Sequence, residues 1–65
     1  MANISSVIRQ VRDAQRISQR ELAKRAGVTP VYVCQLETGA RRNPSLIVLR
    51  RLAKALGLPV SALTG

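Results

Sequence analysis

The chain predicts an all-α fold of five short helices, on three observations. Apolar residues recur at helical spacing in successive segments. Hydroxyl residues stand ahead of several of these runs and glycines close them. No stretch alternates apolar and polar with the period of two that a strand requires.

In the first segment Ile4, Val7, Ile8 and Val11 fall at i, i+3, i+4 and i+7, the stripe of an amphipathic helix. Asn3, Ser5 or Ser6 is its expected cap, and the pattern ends near Arg16. Ser18-Gln19-Arg20-Glu21 is a capping box, in which hydroxyl and carboxylate each satisfy the other residue's backbone N–H. Leu22, Ala23 and Ala26 follow as a narrow apolar face, small enough at Ala23 for a close neighbour, and Gly27 ends the helix. Thr29-Pro30 starts a third helix, a hydroxyl cap followed by proline where no N–H is needed. Val28, Val33 and Leu36 are expected inside, and Gly39 closes that helix. After the basic loop 40–44, Ser45 caps a fourth helix with Leu46, Leu49, Leu52, Ala53 and Leu56 inward and Gly57 at its end. Pro59 to Leu63 leaves room for one last turn, with Leu58, Val60 and Leu63 apolar.

With 65 residues, the expected organisation is a single domain over 1–65. A chain this short buries only about 60% of its unfolded surface, so its stability margin is thin. One cysteine, Cys34, and no histidine exclude an internal disulfide and a zinc site, and no metal or cofactor is expected. Cys34 itself reads as a small helix residue rather than a redox sensor. No run approaches the ~18 apolar residues of a membrane span, and the start lacks a signal-peptide core. A reduced, cytoplasmic setting fits. Eleven Lys and Arg against three acids give a formal net charge of +8, which points to nucleic acid or another anionic surface. Between Thr38 and Gly65 there are five bases and no acid. Tyr32 is the single aromatic, which argues against base-stacking single-strand and RNA platforms.

Residues 18–39 thus encode two short helices across a tight turn, a unit able to insert one helix into a DNA major groove. With the segments IRQVRDAQRISQRELAKRAGV, YVCQLETG and RNPSLIVLRRLAKALGLPVSAL, the chain resembles the phage repressor and Cro (XRE-type) helix-turn-helix family over almost its whole length. The combination of S-Q-x-E-L-A, A-G-V, L-E-x-G and N-P-S-L with L-A-K-A-L-G is far more specific than a bare two-helix pattern. The resemblance implies a compact five-helix, lambda-repressor-like domain. It also implies that helix 29–38 is the recognition helix, that 18–26 supports it, and that two copies bind a palindromic operator in double-stranded DNA. Half-sites then lie about 34–36 Å apart.

With Val33 and Leu36 buried, Pro30, Val31, Gln35 and Thr38 face outward and Cys34 lies at the edge. Gln35 is the first base-reading candidate, because its amide can pair with N6 and N7 of adenine; a solvated glutamine is the alternative. Val31 suits a thymine methyl. Thr29 caps and is a candidate contact. Pro30, set among the base-contacting positions, departs from the polar residue often found there and leaves more to Gln35 and DNA shape. Gln19, at the positive end of a helix dipole, suits a phosphate. Tyr32 offers its hydroxyl to a phosphate or simply packs. Arg41, Arg42 and Asn43 form a loop suited to phosphate oxygens, contacts that fix register. Most other bases are expected to be solvent-facing charge. The family pairs an arginine of the first helix with a glutamate at the end of the recognition helix, which implies an ion pair between Arg12 and Glu37.

No catalytic residues are expected. Histidine is absent, the only acids are Asp13, Glu21 and Glu37, and no glycine-rich phosphate loop or substrate cleft is evident. The resulting expectation is a homodimeric transcriptional regulator, a repressor, of bacterial or phage origin. The alternative is an interaction module on the same fold, such as an antitoxin or the DNA-binding fragment of a larger regulator. A membrane-surface role is weaker, since the apolar faces are needed for the core.

Overall fold

In a computed structural model, described over residues 4–64, five helices follow in order: α1 Ile4–Ala14, α2 Gln19–Ala26, α3 Pro30–Thr38, α4 Leu46–Leu56 and α5 Ser61–Thr64. Asn3 lies outside the described residues. Ser5 and Ser6 lie inside α1 rather than ahead of its first described residue. Ser5 instead donates its hydroxyl to the carbonyl of Leu36 at 2.5 Å, tying the start of α1 to α3.

Three starts follow local capping chemistry. The hydroxyls of Ser18, Thr29 and Ser45 accept from the backbone N–H of Glu21, Tyr32 and Val48. Only half of the expected capping box forms. The Glu21 carboxylate turns along its own helix to accept from Arg25 Nε at 3.2 Å, an i, i+4 pair that competes with the Ser18 N–H. Gly27, at φ 71°, ends α2 in a left-handed turn, with Val28 N–H donating to the carbonyl of Ala23.

The end of α1 departs from the expected limit near Arg16. Its helix stops at Ala14, and Arg16 itself takes the left-handed position, at φ 58°. Arg16 N–H donates to Asp13 and Ile17 N–H to Arg12, the same closing pattern that Gly27 makes after α2. Gln15 then spans to α4, its amide donating to the carbonyl of Leu56 at 2.6 Å. An otherwise unpaired carbonyl at a helix end is satisfied in this way.

The core joins all five helices through Ile8, Leu22, Ala23, Val33, Leu36, Leu52 and Leu63, among others, all buried. Ala23 and Ala53 let α2 and α4 approach closely. Leu46 was expected inside but is 52% exposed. As the first residue of α4 it projects one turn beyond the stripe Leu49, Leu52, Ala53 and Leu56 that meets the core.

Candidate nucleic-acid interface

α3 owes its placement to buried Val33 and Leu36, and that burial turns the opposite strip outward. Val31 is 64% exposed, and Pro30 and Thr38 are exposed as well, whereas Gln35 and Cys34 are half-buried. The two threonines have local work. Thr29 Oγ1 accepts from Tyr32 N–H at 3.1 Å, while Thr38 Oγ1 donates to the Gln35 carbonyl and accepts from Ala40 N–H. Pro30 and Val31 therefore offer only apolar surface, and Gln35 carries the amide of the strip.

Immediately after α3 the chain doubles back. Arg41 N–H donates to the Gln35 carbonyl at 3.1 Å and Arg41 Nε donates to Gln35 Oε1 at 3.2 Å. The guanidinium carbon lies 4.7 Å from the centroid of the Tyr32 ring, within cation–π range. Tyr32 is thus a platform for Arg41 as well as a packing residue. Arg42 and Asn43 are exposed and hold no side-chain partner among the described residues. No periodic signal in the sequence joins positions 32, 35 and 41, because the contact crosses the left-handed turn at Gly39.

The pair between Arg12 and Glu37 is bidentate, with Nε to Oε2 at 2.7 Å and Nη2 to Oε1 at 2.9 Å. The side chains are 14% and 4% exposed, and Arg12 Nη1 also donates to the Ile17 carbonyl at 2.9 Å. Gln19 joins this group, donating Nε2 to Glu37 Oε1 at 3.2 Å. The resemblance implies Arg12 as the partner of Glu37 and carries no signal for Gln19, which lies 18 positions away in the chain. Burial pushes the Glu37 carboxyl upward, but hydrogen bonds from Arg12 and Gln19 and the charges of Arg12 and Arg9 outweigh it. The net direction is below the ordinary carboxylate range. The hydrogen bond to Glu37 raises the Arg12 guanidinium further above its ordinary value. The group therefore stays ionised at neutral pH and locks α1, the start of α2 and the end of α3 together.

Gln19 also heads α2, where the first backbone N–H groups have no helical partner and the dipole is positive. Elsewhere Lys24, Arg25, Arg51 and Lys54 line an open groove of about 560 Å³ between the ends of α2 and α4. No described helix is long and apolar enough to cross a membrane.

The helix-turn-helix family model matches residues 8–63. The chain belongs to the phage repressor and Cro (XRE-type) helix-turn-helix family. It is 43% identical over 58 residues to an uncharacterised HTH-type transcriptional regulator of Mycobacterium tuberculosis, covering 89% of this chain and 41% of that protein. It is 38% identical over 58 residues to the immunity repressor protein of Bacillus phage phi105, covering 89% of this chain and 40% of the repressor. The chain therefore spans about two fifths of these relatives. Among solved structures, it is similar to the biofilm master regulator SinR in complex with DNA, with a TM-score of 0.90 and 32% identity. That match covers 95% of this chain and 98% of the other. The N-terminal DNA-binding domain of SinR from Bacillus subtilis superposes equally well, at a TM-score of 0.90 and 32% identity, covering 95% of this chain and 90% of that one.

Proposed function

We propose that this helix-turn-helix chain is a sequence-specific double-stranded DNA-binding transcriptional regulator, a repressor, with α3 lying in the major groove. The observation that carries this reading is the outward strip of α3, Pro30, Val31 and Gln35, flanked by the cationic loop at Arg41 and Arg42. Gln35 and Val31 read base edges, with Thr29 and Pro30 at the rim. Gln19, Tyr32, Arg41, Arg42 and Asn43 serve the phosphate backbone. Gln19 does so through the N-terminus of α2 and the amide proton that Glu37 leaves free. The whole of 1–65 acts as one domain in a cytoplasmic, DNA-associated setting, with no catalytic role.

A homodimer on a palindromic operator accompanies this reading. The exposed apolar surface at the start of α4 supports it, whereas Leu63 of the last helix is buried in the chain's own core. There Leu46 and Ile47 are 52% and 63% exposed, an apolar pair suited to a second copy of the chain.

Selection of bound sites from a random duplex pool tests both parts. A palindromic consensus with half-sites about 34–36 Å apart is expected, and a dimer in sedimentation with the selected duplex. Equal affinity for selected and scrambled duplexes refutes the specific regulator, and a monomer with and without DNA refutes the dimer.

A further inference from the structure

We infer that Arg41 and Gln35 form one reading unit that selects guanine, with Arg41 a specificity-determining residue and not only a phosphate anchor. The inference rests on the proposed DNA-binding role of α3 and deepens it.

Three contacts fix the Arg41 side chain and its backbone against α3. They are the backbone N–H to the Gln35 carbonyl, Nε to Gln35 Oε1 and the guanidinium face on the Tyr32 ring. Arg42, next in sequence and equally exposed, has none of these. An arginine needed only for its charge gains nothing from being held in plane at both Nε and its face. A planar fork that must meet two acceptors does.

The bond at Nε also decides what the unit presents. Gln35 Oε1 is committed to a cation, which makes it a poorer acceptor for a neutral base amine. With the oxygen turned to Arg41, the Gln35 amide nitrogen points to the other side with its two protons. The Nη1 and Nη2 groups of Arg41 have no acceptor among the described residues. Together the two side chains offer donors only. In the major groove guanine shows two acceptors, N7 and O6, whereas adenine shows one acceptor and the N6 donor. A free glutamine suits adenine because it has one donor and one acceptor to give. A glutamine whose oxygen is taken, beside an arginine fork, suits guanine.

The test is duplex selection followed by anisotropy titration of the wild-type consensus and its single-base variants. The probed position is the one at which Gln35→Ala flattens base preference. Wild type is expected to favour guanine over adenine there by at least tenfold. Arg41→Lys keeps the charge but lacks Nε and the planar fork. It is expected to retain most of the overall affinity and salt dependence yet shift that position to adenine. Arg41→Ala should make the same shift with weaker binding throughout, and Arg42→Ala should weaken binding and leave guanine preferred. Circular dichroism reports whether each variant is folded. Arg41 is exposed, and Arg41→Lys stands as the decisive variant should Arg41→Ala fold poorly. Preference for guanine that survives Arg41→Lys, or wild-type preference for adenine, overturns the inference while leaving a specific regulator intact. Wild type that binds all duplexes alike overturns both.

Discussion

Replacing Arg12 by alanine strands a carboxylate. The Glu37 side chain is 4% exposed and would lose its two bonds from the guanidinium, at 2.7 and 2.9 Å, retaining only the Gln19 amide at 3.2 Å. The Ile17 carbonyl loses its donor as well. Each charge-assisted bond is worth about 1.5–3 kcal/mol, and breaking one side of a buried pair costs about 3–5 kcal/mol. A chain of 65 residues has roughly 3–10 kcal/mol of stability in all. Arg12→Ala should therefore bring the domain to the edge of unfolding at 25 °C, measured by urea titration of the helical circular dichroism. Arg12→Met combined with Glu37→Met should cost less than either alone, since apolar residues of similar volume leave no charge unpaired. A loss below about 1 kcal/mol for Arg12→Ala, the value of a solvated pair, would refute this account. So would strict additivity of the double variant.

The same group sets an acid limb. Because the folded Glu37 lies below its unfolded value, its contribution is complete above about pH 4.3 and is lost as pH falls through the lower folded value. Glu37→Gln should flatten this fall in a pH series of thermal melts, and an unchanged slope would count against it. Arg16→Gly should raise stability by about 0.5 kcal/mol, since glycine removes the left-handed strain at φ 58° and returns part of the gain as chain entropy; a lower melting temperature would contradict this. Arg42→Ala should weaken binding to every duplex and reduce the salt slope by about 1, in anisotropy titrations at several salt concentrations; a change confined to one base position would assign Arg42 a different role.

How far the fold could be read from sequence depended on how local each determinant was. Ser18, Thr29 and Ser45 cap the helices they were expected to cap, and Gly27, Gly39 and Gly57 close them. In each case donor and acceptor lie within a few residues. Arg16 escaped because an arginine carries no signal for a positive φ; the demand comes from the short passage between α1 and α2. Leu46 escaped because periodicity states which side of a helix is apolar, not where the neighbouring helices end. Glu21 had two partners open to it, the Ser18 N–H and Arg25, and sequence cannot rank them.

The candidate site divides along the same line. Val31 and Gln35 followed from the helical phase of Val33 and Leu36. The contact of Arg41 with Gln35 and Tyr32 did not, because a loop and a helix meet there after a reversal of the chain. Gln19 shows the same limit, since its bond to Glu37 spans 18 positions.

Val31 is 64% exposed on the first turn of α3, and none of the hydrogen bonds that shape the motif uses its side chain. Substitutions at such a surface position ordinarily change stability by no more than about 0.5 kcal/mol. Gln35 is different, being tied to Arg41, and any change there disturbs a second residue. Positions 31 and 35 of α3 thus differ in how freely they can vary. On the proposed reading, position 31 should accept asparagine, serine or lysine one at a time, each altering what α3 presents to DNA while caps and core stay as they are. If α3 reads DNA as proposed, retargeting this domain becomes a one-residue search at 31 and a paired search at 35 and 41.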